Sequence, residues 1–318
     1  MYYLGIDLGG TNIAAAVVNE NYEILGKASL KTNCPRPAEE IAEDMFKAGM
    51  MAIENSGLKL DDIAEVGVGS PGSVDLNTGF ICFANNLGFK NVPLGDMLYE
   101  KFKRRVFLEN DANAAAYGEL IAGAGKGASQ FIAITLGTGV GGGVIINGNI
   151  ISGMNYAGGE LGHIVIVKDG EPCSCGRNGC WESYASATAL IRQTKAAMEA
   201  DKSSKMWDWC KGDIENTSGR TAFDAMRQGD ETATKVVKNF CDYVACGLAN
   251  IINIFQPEIV CIGGGISKEG EVLVAPIREY VRRETYGSNM DKQTVIKAAE
   301  LGNNAGIIGA AFLGNLYR

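Results

Sequence analysis

The 318-residue chain is 46% apolar and contains 42 glycines against 7 prolines, which predicts a sizeable core or two adjoining domains with many turns. Its 29 basic and 37 acidic residues give a formal charge of −8, which argues against a nucleic-acid-binding surface. No stretch resembles a secretory leader or an apolar span of about 18 residues, and the cysteines outside one cluster lack a framework spacing, so we expect a cytoplasmic protein with no membrane partner.

The chain begins with a predicted strand hairpin over residues 4–18, and its turn is rich in glycine. The first strand ends just after Asp7 and is followed by Gly9, Gly10 and Thr11. Glycines let backbone amides approach an anion closely, and a threonine hydroxyl can donate to a phosphate oxygen. Asp7 could hold Mg²⁺ through water. Taken alone, this motif fits a plain glycine-rich hairpin equally well.

Alternating helices and strands follow the hairpin. Apolar spacing predicts a helix over residues 38–55 and short buried strands at 66–69 and 106–108. An alanine-rich helix is predicted over 112–121, with Asp111 at its start. By position alone, Asp111 is expected to cap this helix more often than to act in catalysis.

Residues 132–147 repeat the plan of the first hairpin about 128 positions later, which indicates a weak internal duplication. Thr138 and Gly139 lie in the second turn and offer the same kind of phosphate contact. Two such turns favour a nucleotide clamp. A dinucleotide-binding G-x-G-x-x-G loop is excluded because a β-branched strand follows the glycines where a helix is required, and no Walker-type sequence is present.

The only histidine of the chain precedes a cluster of cysteines, and together they form a possible metal-ligand set: His163, Cys173, Cys175 and Cys180. Three thiolates and one imidazole complete a tetrahedral Zn²⁺ site, and four protein ligands leave no position for an activated water. We therefore predict a structural zinc site that fixes a loop and holds Glu160, His163 and Glu182 close together. Without that loop, the two glutamates fit ordinary surface acids.

The remaining predicted elements are amphipathic segments over 181–200 and 231–255, a buried strand over 258–262 and a final helix over 305–316. The strand enters three glycines, residues 263–265, where a flat purine or ribose can approach the backbone. Residues 201–230 lack a periodic pattern and are predicted as helix and loop without assigned chemistry. The repeat places the joint between domains near residues 118–127.

Four motifs together resemble the ROK family of bacterial sugar kinases and sugar-responsive repressors: Asp7-Leu8-Gly9-Gly10-Thr11, Glu109-Asn110-Asp111-Ala112-Asn113-Ala114, Gly159-Glu160-Leu161-Gly162-His163, and the run from Cys173 to Glu182. The resemblance covers nearly the whole chain and is strongest to ATP-dependent glucokinases. It implies an α/β fold of the actin-like or hexokinase-like (ribonuclease H-like) kind, with two domains around an interdomain cleft. The small domain would be residues 1–118 with 302–318, and the large domain would be 119–301 with the zinc loop.

The resemblance also implies roles for individual residues, with Asp111 as the general base toward a sugar hydroxyl. The implied hexose ligands are Asn110, Asp111, Glu160, His163, Glu182, Gly72 and Asn86. The implied ATP contacts are Asp7, Gly9, Gly10, Thr11, Asn12, Thr138, Gly139, Gly264 and Gly265. Asn12 stands where many relatives carry a basic residue, so Mg²⁺ and amides would compensate the phosphate charge. Asn303 and Asn304 stand where related kinases often carry acids.

The implied activity is ATP-dependent phosphorylation of a hexose, with glucose and its 6-phosphate as the expected pair and with ATP, Mg²⁺ and structural Zn²⁺ as cofactors. Within the family, a fructokinase, an N-acetylhexosamine kinase and a polyphosphate-using glucokinase are alternatives. A sugar-sensing repressor would carry a DNA-binding helix-turn-helix, for which there is no room before Leu4. A non-catalytic sugar-binding module would be expected to lack Asp111 or one hairpin. We expect a homo-oligomer, a dimer or a tetramer.

Overall fold

The computed structural model describes residues 1–317 as a mixed α/β protein, which confirms the predicted fold class. The strands are β1 (Tyr2–Leu8), β2 (Asn12–Asn19), β3 (Ile24–Lys31), β4 (Ile63–Ser70), β5 (Ser73–Asp75), β6 (Phe80–Ala84), β7 (Phe89–Val92), β8 (Arg105–Asn110), β9 (Phe131–Leu136), β10 (Val140–Ile146), β11 (Asn149–Ile150), β12 (Ile259–Gly263) and β13 (Val295–Ala298). The helices are α1 (Ala38–Asn55), α2 (Leu94–Phe102), α3 (Asp111–Ala122), α4 (Glu182–Ala185), α5 (Ala187–Ala200), α6 (Met206–Trp209), α7 (Thr221–Arg227), α8 (Glu231–Phe255), α9 (Glu271–Glu284) and α10 (Ala305–Ala311).

Two five-stranded sheets have the same strand order. The first is β3-β2-β1-β4-β8 and the second is β11-β10-β9-β12-β13, so each contains a hairpin whose first strand lies next to a strand from later in the chain. In the first sheet, β1 pairs antiparallel with β2 and parallel with β4. The shared order is the structural counterpart of the duplication seen in the hairpin sequences. A third sheet, β5-β6-β7, follows β4.

One compact unit contains residues 1–133, 143–159 and the chain from Glu300 onward. One face of its sheet buries apolar side chains of β1 and β2 in a core with α1. The other face receives α10, because glycine replaces a side chain where the helix approaches the sheet. A Cβ at Gly5 would lie 2.1 Å from the Ile307 carbonyl oxygen, and one at Gly67 would lie 1.8 Å from that of Ala310.

The other unit contains residues 134–142 and 160–299. Its longest helix, α8, buries a continuous apolar stripe that includes Phe240, Val244 and Leu248. Gly247 of the same helix receives the indole of Trp181, since a Cβ there would lie 2.1 Å from that ring. The Trp181 indole nitrogen donates to the Tyr243 carbonyl at 2.9 Å. Trp181 therefore fixes the segment that follows Cys180 against α8.

Several elements agree with the sequence prediction and two differ. Helices α1 and α8 have the predicted limits. The predicted segment 181–200 is two helices, because the Ser186 hydroxyl caps α5 by accepting from the Ala189 amide and so begins a new helix. The predicted helix 305–316 ends at Ala311, and a 3₁₀ turn follows it. Within residues 1–317, no helix has both the length and the apolar character needed to cross a membrane.

The chain first passes from one compact unit to the other at residues 133/134, inside β9. The joint near residues 118–127 that the repeat suggested stays a prediction. Residues after 118 remain in the first unit because the buried Glu119 carboxylate accepts from the amides of Ala124, Glu300 and Leu301. The assignment of residues 1–118 with 302–318 and of 119–301 to two domains stays a prediction.

Candidate active site

Two hydrogen bonds from Thr32 hold the first glycine turn, residues 9–11, in place. The Thr32 hydroxyl donates to the Gly9 carbonyl at 2.6 Å, and its amide donates to the Thr11 carbonyl at 2.9 Å. The Gly9 amide closes the turn by donating to the Asn12 carbonyl at 2.9 Å. Thr32 is fully buried, whereas Gly10 and Thr11 are exposed. The turn is thus rigid at its base and open at its tip. Sequence reasoning missed Thr32, because no local motif marks it.

Charged side chains share one face of the first sheet beside this turn. Lys31 lies directly opposite Asn12 in the β2–β3 pairing, so it supplies a cation near the position where Asn12 lacks one. Lys27 donates to the Asn304 side-chain oxygen at 2.7 Å. Burial and, secondarily, the Asp111 carboxylate raise the pKa of Asp7 to about 6, and Lys27 opposes this shift. Both lysines were absent from the sequence prediction.

Asp111 begins α3 but does not cap it. The cap is Asn110, whose side-chain oxygen accepts from the amides of Ala112 and Asn113 at 2.9 and 3.2 Å. Asp111 follows at the first helical position, where one carboxylate oxygen accepts from the Ala112 amide at 2.8 Å. Burial raises the pKa of Asp111 from its ordinary value. The capping role expected from position alone therefore belongs to Asn110.

Gly72 and Asn86, both expected near the sugar, lie in different surroundings. The Asn110 side-chain amide donates to the Gly72 carbonyl at 3.0 Å, so Gly72 does join the start of α3. Gly72 has φ of +89°, and a Cβ there would lie 2.0 Å from the Phe83 carbonyl oxygen, which requires glycine. Asn86 instead lies beside the first glycine turn, where its Cβ is the nearest atom, at 3.8 Å, to a Cβ built on Gly10.

The second glycine turn, residues 137–139, is held by Glu182. The Val140 amide donates to Glu182 Oε2 at 3.0 Å, and a Cβ on Gly139 would lie 2.1 Å from the same oxygen. The Ala187 amide donates to the Gly137 carbonyl at 2.8 Å, and the Thr188 hydroxyl donates to the Thr138 carbonyl at 2.8 Å. The helices that follow the cysteine motif therefore define the shape of this turn.

The glycine loop after β12 adjoins the same turn. A Cβ on Gly264 would lie 2.3 Å from the carbonyl oxygen of Leu136, the residue before the turn, and Gly264 has φ of +87°. The Ser267 hydroxyl donates back to the Gly264 carbonyl at 2.8 Å. Arg227 of α7 forms an ion pair with Glu269, which ends the 3₁₀ turn after this loop. Thr138, Gly139 and Gly264 are thus brought together in one unit.

The predicted metal ligands converge. Ligand atoms of His163, Cys173, Cys175 and Cys180 all lie within 4.8 Å of one another. The distance from Cys173 Sγ to His163 Nδ1 is 3.7 Å, and Cys175 Sγ lies 3.6 Å from Cys180 Sγ. Sulfur atoms bound tetrahedrally to Zn²⁺ at about 2.3 Å lie about 3.8 Å apart, so the donor set fits this ion. The cluster can hold a metal ion of the zinc type.

Glycine and arginine shape the metal loop. Gly179 has φ of +79°, and a Cβ there would lie 1.7 Å from the Val167 carbonyl oxygen. Arg177 donates to the His163 carbonyl and lies 3.8 Å from Cys180 Sγ. Hydrogen bonding, chiefly with the Arg177 backbone, lowers the pKa of Cys175 to about 7, whereas burial raises that of Cys180 to about 11.

The metal loop also determines the surroundings of the predicted sugar ligands in this unit. Because Nδ1 of His163 faces the thiols, its Nε2 remains the nitrogen for another partner. Glu182 Oε1 lies 3.4 Å from the Ser174 hydroxyl and 3.8 Å from Cys173 Sγ. Glu160 directly precedes the 3₁₀ turn Leu161–His163, and the His163 amide donates to the Glu160 carbonyl at 3.1 Å. Glu182 therefore joins the metal loop to the second glycine turn.

Similarity to known proteins extends over nearly the whole chain. The ROK family model matches residues 3–315. The chain is 40% identical to a glucokinase of Thermotoga maritima over 97% of this chain and 95% of the relative, and 38% identical to one of Halalkalibacterium halodurans over 98% and 94%. A solved structure of a Streptomyces griseus ROK glucokinase with glucose and AMPPNP superposes with a TM-score of 0.82 at 38% identity, covering 98% of this chain and 99% of that one. The chain therefore belongs to the ROK family.

Proposed function

We propose that the protein is an ATP:hexose 6-phosphotransferase with glucose as its preferred acceptor. The observation that carries this proposal is the similarity, over nearly the full length of both chains, to proteins described as glucokinases. The chain retains both glycine turns, the Asn110-Asp111 pair and the cysteine motif of the family resemblance. Phosphoryl transfer requires both a phosphate-binding turn and a sugar site, and neither alone would support it.

Asp111 acts in this proposal as the general base that accepts the proton of the sugar hydroxyl. The Asp111 carboxylate accepts from the backbone amides of Ala112 and of Asp111 itself, and its remaining lone pairs can accept the proton of the substrate hydroxyl. Asn110, Glu160, His163 and Glu182 hold the hexose, since carboxylate, amide and imidazole groups together match the donors and acceptors of sugar hydroxyls. Gly72 and Asn86 are weaker candidates for this role.

ATP is bound in this proposal by the glycine turns and the loop after β12. The proposed contacts are Gly9, Gly10, Thr11, Asn12, Thr138, Gly139, Gly264 and Gly265. Mg²⁺ neutralises phosphate charge, and Asp7 is the carboxylate that would hold it through water. Phosphoryl transfer depends chiefly on positioning and charge neutralisation, and the rigid base of each turn serves the first requirement.

Zinc has a structural role in this proposal. His163, Cys173, Cys175 and Cys180 would fill all four positions of the ion and so leave none for substrate or water. The ion would fix the loop that positions Glu182 and turns His163 Nε2 away from the thiols.

We place the protein in the cytoplasm, where ATP is available and where its nine cysteines, all within residues 1–317 and none in a disulfide, stay reduced. We expect a dimer or a tetramer, and analytical sedimentation tests this expectation.

An ADP-release assay tests the proposal. The panel pairs glucose, fructose, N-acetylmannosamine and N-acetylglucosamine with ATP as donor. In a parallel series polyphosphate replaces ATP, and sugar phosphate is measured there because no ADP is released. We expect the highest kcat/KM with glucose and ATP. Preference for fructose or an N-acetylhexosamine would reassign the substrate within the family. Sugar binding without turnover on any pair would instead support a sugar-sensing role.

A further inference from the structure

Glu109 is a buried acid that lies directly before the proposed catalytic pair, and its side chain is only 2% exposed. Its Oε1 accepts from the Asn110 amide at 2.8 Å and from the Asn113 side-chain amide at 3.1 Å. One carboxylate oxygen thus holds both the cap of α3 and a residue one turn into that helix. This contact therefore joins the end of β8 to the first turn of α3, where Asp111 lies.

The other oxygen of Glu109 has no hydrogen-bond partner within residues 1–317, and neither does the buried hydroxyl of Ser152. Burial raises the pKa of Glu109, and Ser152 is close enough to be among the groups that oppose this shift. Buried polar atoms without partners are rare because each has lost its water without replacement. Here two of them, an acceptor and a possible donor, adjoin each other.

Ser152 lies at the neck of an exposed loop, residues 151–159. The Gly158 amide donates to the Ser152 carbonyl at 2.8 Å and closes the neck, while Met154 at the tip is 99% exposed. The loop ends at Gly159, where a Cβ would lie 3.9 Å from the Asn113 side-chain oxygen, and Glu160 follows at once. The end of the loop therefore lies near Asn113, and in the chain it directly precedes Glu160, a proposed hexose ligand.

We propose that Glu109 is a positioning residue for the hexose, which holds the start of α3 through Oε1 and receives the Ser152 hydroxyl on Oε2 when sugar binding draws loop 151–159 into place. This inference rests on the proposed hexose-binding roles of Asn110, Asp111 and Glu160. The new hydrogen bond satisfies two buried polar atoms at once, and it therefore stabilises the closed position of the loop. Sugar binding then orders the loop and aligns Asp111 together.

Three variants test the inference: Ser152→Ala, Glu109→Gln and Glu109→Ala. We expect Ser152→Ala to raise the glucose KM about fivefold with the ATP KM unchanged, which is the effect of losing one hydrogen bond. Glu109→Gln retains an acceptor for α3 and an amide that can donate to the Ser152 oxygen, so its glucose KM should stay within about threefold of wild type. Glu109→Ala should raise the glucose KM at least tenfold, and adding Ser152→Ala to it should change nothing further.

Glu65→Ala is the matched control, because Glu65 is also a buried acid of the first sheet, on β4, and pairs with Arg105. It should lower thermal stability and leave both KM values unchanged. Hydrogen exchange gives a readout besides activity: glucose should protect the amides of residues 151–159 in wild type and not in Ser152→Ala.

An active wild type whose glucose KM is unaffected by Ser152→Ala, or an equal Ser152→Ala effect with and without Glu109, would overturn the inference and leave the proposed function intact. If Glu109→Ala does not fold, the Ser152→Ala kinetics and the exchange experiment still decide. A wild type that phosphorylates no hexose would overturn the proposed function itself.

Discussion

The two glycine turns have the same strand plan but different supports. The first is held by Thr32, which extends β3 of the same sheet and has no proposed part in sugar binding. The second is held by Glu182, whose other oxygen lies near the cysteine motif. A duplicated hairpin thus acquired one support that is purely structural and one that also belongs to the proposed sugar site.

This difference implies that mutations in the two turns should have different effects on ligand binding. Disturbing the first turn should alter nucleotide binding alone. Disturbing the second should alter nucleotide and sugar binding together, because Glu182 cannot leave the turn without leaving its place beside the metal loop. The comparison also includes the proposed catalytic and metal-binding groups, because Asp111 lies near the first turn and the metal cluster lies near the second.

The largest expected effect is that of Asp111→Ala. Loss of the base should lower kcat about 10²–10⁴-fold, while glucose affinity measured by calorimetry changes less than about threefold. Asp96→Ala is the control, because Asp96 is an exposed aspartate in the first turn of α2. Equal losses of turnover and sugar affinity would assign Asp111 to binding rather than to proton transfer.

Removing the metal tests the support of the second turn. Cys175→Ser should abolish the binding of one Zn²⁺ per chain and weaken glucose affinity roughly 10–100-fold, because the loop that positions Glu182 loses its anchor. Metal content by mass spectrometry and glucose titration measure the two effects. Cys246→Ser, in α8, is the control and should change neither. Unchanged glucose affinity in the metal-free variant would separate the loop from sugar binding.

Asp7→Asn tests the electrostatics beside the first turn through stability. The pKa of Asp7 is raised to about 6 in the folded protein against 3.8 in the unfolded chain, so the folded state favours the protonated acid. The stability gained from this proton is present below about pH 4 and is lost as the pH rises through 6. Asp7→Asn should therefore stabilise the metal-free protein at pH 7, by up to about 3 kcal/mol, and have little effect at pH 4.

Denaturant unfolding at the two pH values measures the Asp7→Asn effect. Asp111→Asn should also stabilise the metal-free protein at pH 7, because it removes a buried carboxylate whose own pKa is raised and a charge that raises the pKa of Asp7. A pH-independent effect of Asp7→Asn would contradict the raised pKa.

Adding one methyl group to each turn compares them directly. Gly139→Ala places a Cβ where Glu182 Oε2 lies, so the carboxylate must leave the Val140 amide. We expect the KM values for ATP and glucose both to rise, the latter about tenfold, which corresponds to about 1.4 kcal/mol. Gly10→Ala meets no atom closer than 3.8 Å and should affect only the ATP KM. An isolated ATP effect in both variants would show that the turns are equivalent.

The smallest expected effect concerns the two threonines beneath the turns. Thr32→Val removes a buried hydroxyl bond to Gly9 and should raise the ATP KM about fivefold, the equivalent of about 1 kcal/mol. Thr188→Val removes a bond to Thr138 from an exposed side chain, which water can replace, so less than a twofold change is expected. Steady-state kinetics distinguish the two. The reverse ranking would mean that the second turn depends on Thr188 more than the first turn depends on Thr32.

Local patterns in the sequence predict much of this architecture. Helices α1 and α8 follow from apolar spacing, and the two hairpins follow from glycine between β-runs. The metal cluster follows from ligand chemistry and spacing, because four such residues within 18 positions need only a short reversal. The break at Ser186 was missed because a serine cap is a single hydroxyl within an otherwise continuous amphipathic pattern.

The missed features depend on contacts between distant segments. Lys27 meets Asn304 across 277 positions, and Thr32 meets Gly9 only because β3 folds back on β2. The opposition of Lys31 and Asn12 is a matter of strand register. Such pairs have no signal in one sequence, since register and packing are decided by the whole sheet.

Trp181 gives the protein a built-in optical reporter. Its indole is wholly buried against α8 and immediately follows Cys180, so its emission wavelength and intensity will respond to the order of the cysteine loop. Trp207 and Trp209, both in α6, contribute the background, and phenylalanine at both positions leaves a single tryptophan, which excitation at the long-wavelength edge of the absorption band selects over the tyrosines. Titrating metal or sugar into that variant follows loop ordering in real time, without any attached dye.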